Sequence, residues 1–209
     1  MSGLEHMPRF VTFEGGEGAG KSTQMRLLAE RLQAGGARVT LTREPGGTLM
    51  AERIRALLVT GRPDDLDGRA ELLLMLAARV EHVRGLIRPA LARGEVVLCD
   101  RFADSTMAYQ GFGRGMDLEW LALLNRFVLG DLLPERTLLL DIDPGAGLAR
   151  AGRASGGENR FEQEKLSFHQ RVRAGFLELA ASQPGRFRVI DATGEVAAVA
   201  EAVWEAYRS

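Results

Sequence analysis

Apolar residues along this chain fall into two alternating patterns. Short runs with no regular polar interruption, such as Phe10-Val11-Thr12-Phe13, Val96-Val97-Leu98-Cys99 and Leu138-Leu139-Leu140, read as strands covered on both faces. The pattern predicts strands over 9–14, 38–42, 96–99, 137–142 and 187–190. Between them the apolar period is helical. Met25, Leu28, Ala29 and Leu32 lie at i, i+3, i+4 and i+7 after Lys21, and Gly35-Gly36 stops the stripe. Residues 67–92 and 162–182 read as two long helices, the second closed by Pro184-Gly185; Val196, Val199, Ala200 and Val203 mark a last one. Strands alternating with longer helical stretches imply an α/β fold in which helices cover a parallel sheet.

Composition narrows what such a fold can do. At 209 residues, 45% hydrophobic and 26% charged, the chain is expected to form one domain around one core, without repeats or linker. Its 27 Lys+Arg against 28 Asp+Glu give a formal charge of −1, so no broad basic field is available for a nucleic-acid polymer or an anionic membrane. An anionic ligand has to be caught locally. The lone Cys99 allows no internal disulfide, no apolar run approaches the ~20 residues of a membrane helix, and residues 1–8 lack the pattern of a signal peptide. These features predict a cytoplasmic location. Only Lys21 and Lys165 are lysines, so the placement of each matters.

Lys21 falls where an ammonium has a specific use. Gly15-Gly16-Glu17-Gly18-Ala19-Gly20-Lys21-Ser22 fits G-x-x-x-x-G-K-[ST], with a strand before it and a helix after it. In this motif glycines let successive backbone N–H groups converge on phosphate oxygens, the helix N-terminus adds its dipole, the lysine reaches the β and γ phosphates, and the hydroxyl ligates Mg²⁺. Gly15 to Thr23 are therefore the expected ATP cradle, with Ser22 a metal ligand. Asp100, ending the strand 96–99, is the expected second metal ligand.

A phosphate loop by itself leaves motors, GTPases and kinases open. No N-K-x-D guanine-reading motif is present, and two arginines sit just beyond strands, Arg43 in Thr42-Arg43-Glu44-Pro45-Gly46-Gly47-Thr48 and Arg101 after Asp100. Ligands of open α/β sheets bind at the carboxyl ends of the strands, and bidentate guanidinium contacts suit a monophosphate dianion. Between Arg150 and Arg160 lies a glycine-punctuated segment carrying Arg150, Arg153 and Arg160, read as a mobile flap that brings a cation to the transferred phosphoryl group.

Taken together these residues resemble the bacterial thymidylate kinases, of the P-loop nucleoside monophosphate kinase group. Phe13 to Ser22 is similar to the family's F-E-G-x-[ED]-G-[AS]-G-K-[ST], Thr42 to Thr48 to its T-R-E-P-G-G-T, and Asp100-Arg101-Phe102 with Ser105 to Gly111 to its D-R-[YFH]-x-x-S-x-x-A-Y-Q-G. The resemblance implies a three-layer P-loop fold with five parallel strands in the order 2-3-1-4-5, a lid at roughly 148–162, a homodimer, and transfer of the γ-phosphoryl of MgATP to dTMP. It implies that Arg43 and Arg101 grip the acceptor phosphate and that Glu17 lies near the sugar 3′-hydroxyl. Arg79 would donate to thymine O4, Ser105, Thr106 and Gln110 would line the base pocket, and Tyr109 would crowd the sugar 2′ carbon. Met75 stands where the family usually has a stacking Phe, four residues before Arg79 and so on the same helix face. The catalytic set is then Lys21, Arg101, Glu17 and a lid arginine, Arg153 first and Arg150 second. The Asp191-Ala192-Thr193 loop resembles the adenine-side loop and is equally an ordinary helix entry. A kinase for another nucleoside monophosphate or a deoxynucleoside is the nearest rival, and a nucleotide-binding module without turnover is the rival from another class.

Overall fold

In this computed structural model, residues 7–154 and 160–209 are described. Five parallel strands, β1 (Phe10–Glu14), β2 (Val39–Arg43), β3 (Val96–Asp100), β4 (Arg136–Asp141) and β5 (Phe187–Asp191), pair in the order β2-β3-β1-β4-β5, as the resemblance implies. Val11 pairs with Leu98 on one side and Arg136 on the other. The uninterrupted apolar runs are explained by cover on both faces. Val96 and Leu98 pack into a cluster with Phe13, Leu140 and the helices α1 (Lys21–Ala34) and α9 (Val196–Arg208), whereas Val97 and Cys99 face Phe10, Ile87, Phe102 and Leu129 on the opposite side. Each such fully buried Leu or Phe contributes about 1.5–3 kcal/mol of transfer free energy. Because the chain crosses from β1 over β3 to β2, and from β3 over β1 to β4, the loops leaving β1, β2 and β3 open along one edge of the sheet, at its topological switch point.

Helices depart from the sequence reading in instructive places. The stretch 67–92 is α3 (Gly68–His82), a widened turn over Val83–Ile87 and α4 (Arg88–Ala92). Pro89 has no N–H to continue the ladder, and Arg88 N–H bonds back to the Val83 carbonyl. Before β4, three helices have no counterpart in the periodic reading: α2 (Leu49–Val59), α5 (Ala103–Thr106), which runs into a wide helical segment Met107–Gly113, and α6 (Leu118–Leu129). In α6 Leu121 and Leu129 are buried while Trp120, Leu123 and Phe127 are exposed, so a second apolar line runs along the solvent side of the helix.

Regular structure flanks the stretch of the expected lid. Its first part belongs to α7 (Pro144–Ala154), and the helix expected over 162–182 begins later, as α8 (Leu166–Ser182). Arg160 and Phe161 are buried, Arg160 with 1% of its surface exposed, because Glu71 on α3 supplies a buried counter-charge. Residues 155–159 of the expected lid lie outside the described residues. Among the described residues no helix is long and apolar enough to cross a membrane.

Candidate active site

The donor end is built from backbone. β1 runs straight into Gly15, Gly18 and Gly20, all at positive φ, and α1 starts at Lys21. A Cβ on Gly18 would lie 1.9 Å from the Gly147 carbonyl oxygen, and one on Gly147 would lie 2.3 Å from that of Glu17, so α7 and the loop meet without side chains between them. Gly20 caps α1 with no side-chain bond, which leaves the first N–H groups of the helix facing outward. Lys21 is buried, and its Nζ donates to the Gly15 and Gly16 carbonyls at 3.2 and 2.8 Å. Burial, followed by the neighbouring Arg101 charge, lowers its pKa. Ser22 Oγ donates to Asp100 Oδ2 at 2.8 Å, joining the two expected metal ligands.

The acceptor end is built from side chains. Arg101 has φ 69°, a left-handed backbone that its N–H bond to Phe13 O (2.9 Å) helps to hold. Its guanidinium donates to Gly15 O (3.0 Å), Ser105 Oγ (3.3 Å) and Glu17 Oε1 (2.8 Å). The Tyr109 hydroxyl donates to the same Glu17 oxygen at 2.9 Å. Burial works against the Glu17 charge, yet Arg101, Lys21 and the Tyr109 bond bring its pKa down to about 2. Behind this pair Glu14, fully buried, accepts from Phe102 N (2.8 Å) and Ser105 Oγ (2.6 Å); burial and the nearby Asp104 push its carboxyl up to about 8. Arg43 is half exposed and donates to both oxygens of Glu52. Arg55 beside it donates to Pro45 O at 2.9 Å, and burial and the Arg43 charge lower its pKa.

Arg79 lies at the far end. It is 2% exposed, with Nε on Glu44 Oε2 (2.7 Å), Nη1 on Asn125 Oδ1 (2.9 Å) and Nη2 on the Phe102 carbonyl (3.0 Å). The other Glu44 oxygen meets His82 Nδ1 at 3.0 Å, and His82 Nε2 meets Thr42 Oγ1 at 2.7 Å. Gln110 donates to Glu71 at 2.8 Å.

One cavity of 490 Å³ gathers these groups. Of the residues expected from sequence it is lined by Glu17 to Thr23, Arg43, Met75, Arg79, Asp100, Arg101, Ser105, Thr106, Tyr109, Gln110 and Arg150. Gly15 and Gly16 stand behind the loop, turning their carbonyls to Lys21. Arg150 donates to the Ala192 and Thr193 carbonyls at 2.9 and 3.1 Å, so it ties α7 to the expected adenine-side loop. The side chain of Arg153 lies outside the described residues. Arg160 is not among the lining residues: its Nη2 meets Glu71 Oε2 at 2.5 Å and its Nε donates to Leu58 O at 2.9 Å, which removes it from the lid candidates.

The sequence reading missed Glu14, Glu44, Glu71, Arg55 and Phe161. A signal existed for two of these groups. Glu71, Met75, Arg79 and His82 share one face of α3 by spacing, so extending the Met75–Arg79 pair in both directions finds Glu71 and, through His82, the network around Glu44.

The thymidylate kinase family model matches residues 13–203. The thymidylate kinase of Magnetococcus marinus is 61% identical over 94% of this chain and 93% of its own length; that of Solidesulfovibrio magneticus is 54% identical over 93% and 96%. The crystal structure of thymidylate kinase from Ehrlichia chaffeensis superposes with a TM-score of 0.78 at 39% identity, covering 94% of this chain and 96% of that one. With its sheet order and cavity already in place, the chain belongs to the thymidylate kinase family.

Proposed function

We propose that this protein transfers the γ-phosphoryl group of MgATP to the phosphate of dTMP, giving ADP and dTDP for DNA precursor synthesis. The observation that carries the reading is a single cavity with a phosphate cradle at one end and the forks of Arg43 and Arg101 between that cradle and an apolar, arginine-tipped recess. Two anions brought together need such a distribution of positive charge.

The mechanism follows from the residues. Lys21 exchanges its loop carbonyls for β and γ phosphate oxygens, and the N–H groups at the start of α1 supply the rest of the cradle. Arg101 and Arg43 align the acceptor phosphate. An acceptor oxygen forms the new bond to the γ phosphorus, the bond to the β-bridging oxygen breaks, and ADP leaves. The acceptor oxygen is already ionised near pH 7, so no general base is required. Ser22 and Asp100 present oxygen donors of the type Mg²⁺ takes and would hold the ion. When bound, the ion neutralises charge between the β and γ phosphates. Tyr109 is locked by edge-on packing against Phe161, Phe168 and Phe176, which suits a wall that excludes a 2′-hydroxyl. Met75 would pack on the base with a thioether, and Arg79 would meet its polar edge. Glu17 would meet the sugar, and Arg153, or Arg150 after it, would deliver the positive charge of the lid.

The chain acts as one catalytic domain in the cytoplasm. It works as a homodimer, supported by the outward apolar residues of α6 at i, i+3 and i+7 (Trp120, Leu123, Phe127) and of α3 at i and i+7 (Leu73, Val80). Turnover measured with dTMP, dUMP, dCMP, dGMP and thymidine tests the acceptor. dTMP should be fastest; faster turnover of thymidine would leave the phosphate-gripping arginines without a task. Arg153→Ala should lower kcat by about a hundredfold; an unaltered rate moves that role to Arg150.

A further inference from the structure

Asn125 is out of place on its helix. Along α6 it shares the buried line with Leu121 and Leu129, and it is 7% exposed on a face that otherwise packs by apolar contact. A buried amide on such a line is costly unless its polar atoms find partners. Its Oδ1 accepts from Arg79 Nη1 at 2.9 Å.

An arginine offers five N–H donors in a planar fork. Here Glu44 takes the one on Nε, Asn125 one on Nη1 and the Phe102 carbonyl one on Nη2, leaving one N–H on each terminal nitrogen. The three acceptors come from three separate parts of the fold: the loop after β2, the loop after β3, and α6. Glu44 supplies the charge, and its second oxygen is fixed by His82. Asn125 adds no charge, only direction. It is the sole contact among these that fixes Nη1, so without it the fork can tilt about its Nε and Nη2 bonds.

We propose that Asn125 is a positioning residue for base discrimination, holding Arg79 so that its remaining N–H groups face an acceptor on the pyrimidine. This rests on the reading of Arg79 as the contact to the base edge. A C4 carbonyl, as in thymine or uracil, satisfies a fixed donor. The C4 amino group of cytosine presents donors to donors and leaves buried polar groups unpaired, the situation in which a rigid site rejects an analogue most strongly. A tilting fork gives that rejection up.

The test compares wild type, Asn125→Leu and Asn125→Asp, with KM and kcat measured for dTMP, dUMP and dCMP at saturating ATP, and KM for ATP at saturating dTMP. Asn125→Leu should raise KM for dTMP about tenfold and narrow the dTMP-to-dCMP ratio of kcat/KM by a similar factor, with kcat and the ATP KM within about twofold of wild type. Asn125→Asp keeps an acceptor in place and should restore the ratio to within about threefold. Asn125→Ala, which only deletes atoms, takes the place of the leucine variant if that one does not fold. An unchanged ratio in a folded leucine or alanine variant overturns the proposal, as does an equal loss for ATP and every acceptor, which would mean a merely structural role. Wild type that fails to phosphorylate dTMP would instead overturn the function on which the proposal rests, and the proposal with it.

Discussion

At the donor end of the cavity the groups proposed to face phosphate are backbone N–H groups and one lysine, all carried by the single stretch from Gly15 to Ser22. At the acceptor end they are side chains, delivered by the loops after β2 and β3, by α3 and by the segment Met107–Gly113. Charge is also handled differently. Lys21 rests on carbonyl oxygens, whereas three of the arginines at the other end are held by carboxylates, Arg101 by Glu17, Arg43 by Glu52 and Arg79 by Glu44, and a fourth, Arg55, by the Pro45 carbonyl. Backbone cradles accept any polyphosphate. Side chains fixed by counter-charges hold one geometry, which under the proposed function assigns selectivity to that end.

The sharpest way to break this comparison is to remove the lysine at the donor end. Lys21→Ala should lower kcat by about 10³ or more while the circular dichroism spectrum stays unchanged; turnover near wild type would show that the backbone suffices. Removing a carboxylate from the other side should cost stability instead. Glu71 is wholly buried and neutralises both Arg160 and Arg114, so Glu71→Ala leaves buried positive charge and should lower the unfolding free energy by about 3–5 kcal/mol in urea titrations. A loss below about 1 kcal/mol would mean that the arginines find other partners or reach water. Arg101→Lys tests whether fork geometry matters beyond charge. The expectation is a fall of about a hundredfold in kcat/KM for dTMP with the ATP KM within about threefold, and equal losses at both substrates would show that the two ends do not act separately.

The smallest expected effect is a difference in slope. Glu14 and Glu17, three residues apart, are driven in opposite directions, to about 8 and about 2 from an ordinary value of 4.5. The folded state keeps a proton on Glu14 that the unfolded chain releases near pH 4.5. Its contribution to stability is therefore full below that pH and is lost as the pH rises toward 8. Glu17 behaves oppositely: its stabilisation is present above pH 4.5 and disappears as the pH falls toward 2. Thermal melts of wild type and Glu14→Gln between pH 5 and 8 should show the wild type losing stability relative to the variant as pH rises. Parallel curves would mean that Glu14 titrates alike in both states.

The same division between backbone and side chains decided what could be read in advance. A cradle made from consecutive residues is written as a local motif, and strands covered on both faces are written as unbroken apolar runs, so the phosphate loop, Asp100 and the five strands were legible. The place of Arg43 and Arg101 on the cavity wall was legible because both follow strand ends, where clefts of such sheets open. Glu71 with Arg160 was not, since the two residues are far apart in sequence and a charged residue in a polar stretch looks solvated until tertiary contacts bury it. Leu118–Leu129 was missed despite a helical spacing, Leu121, Leu124 and Val128 falling at i, i+3 and i+7.

The bare contact between Gly18 and Gly147 binds the history of two distant stretches of chain. Two carbonyls pressed against two α-carbons leave room for neither an alanine nor a compensating trim elsewhere, because there is no side chain left to shorten. Drift at one site cannot be repaired at the other. The loop after β1 and the first turn of α7 each have to keep a glycine.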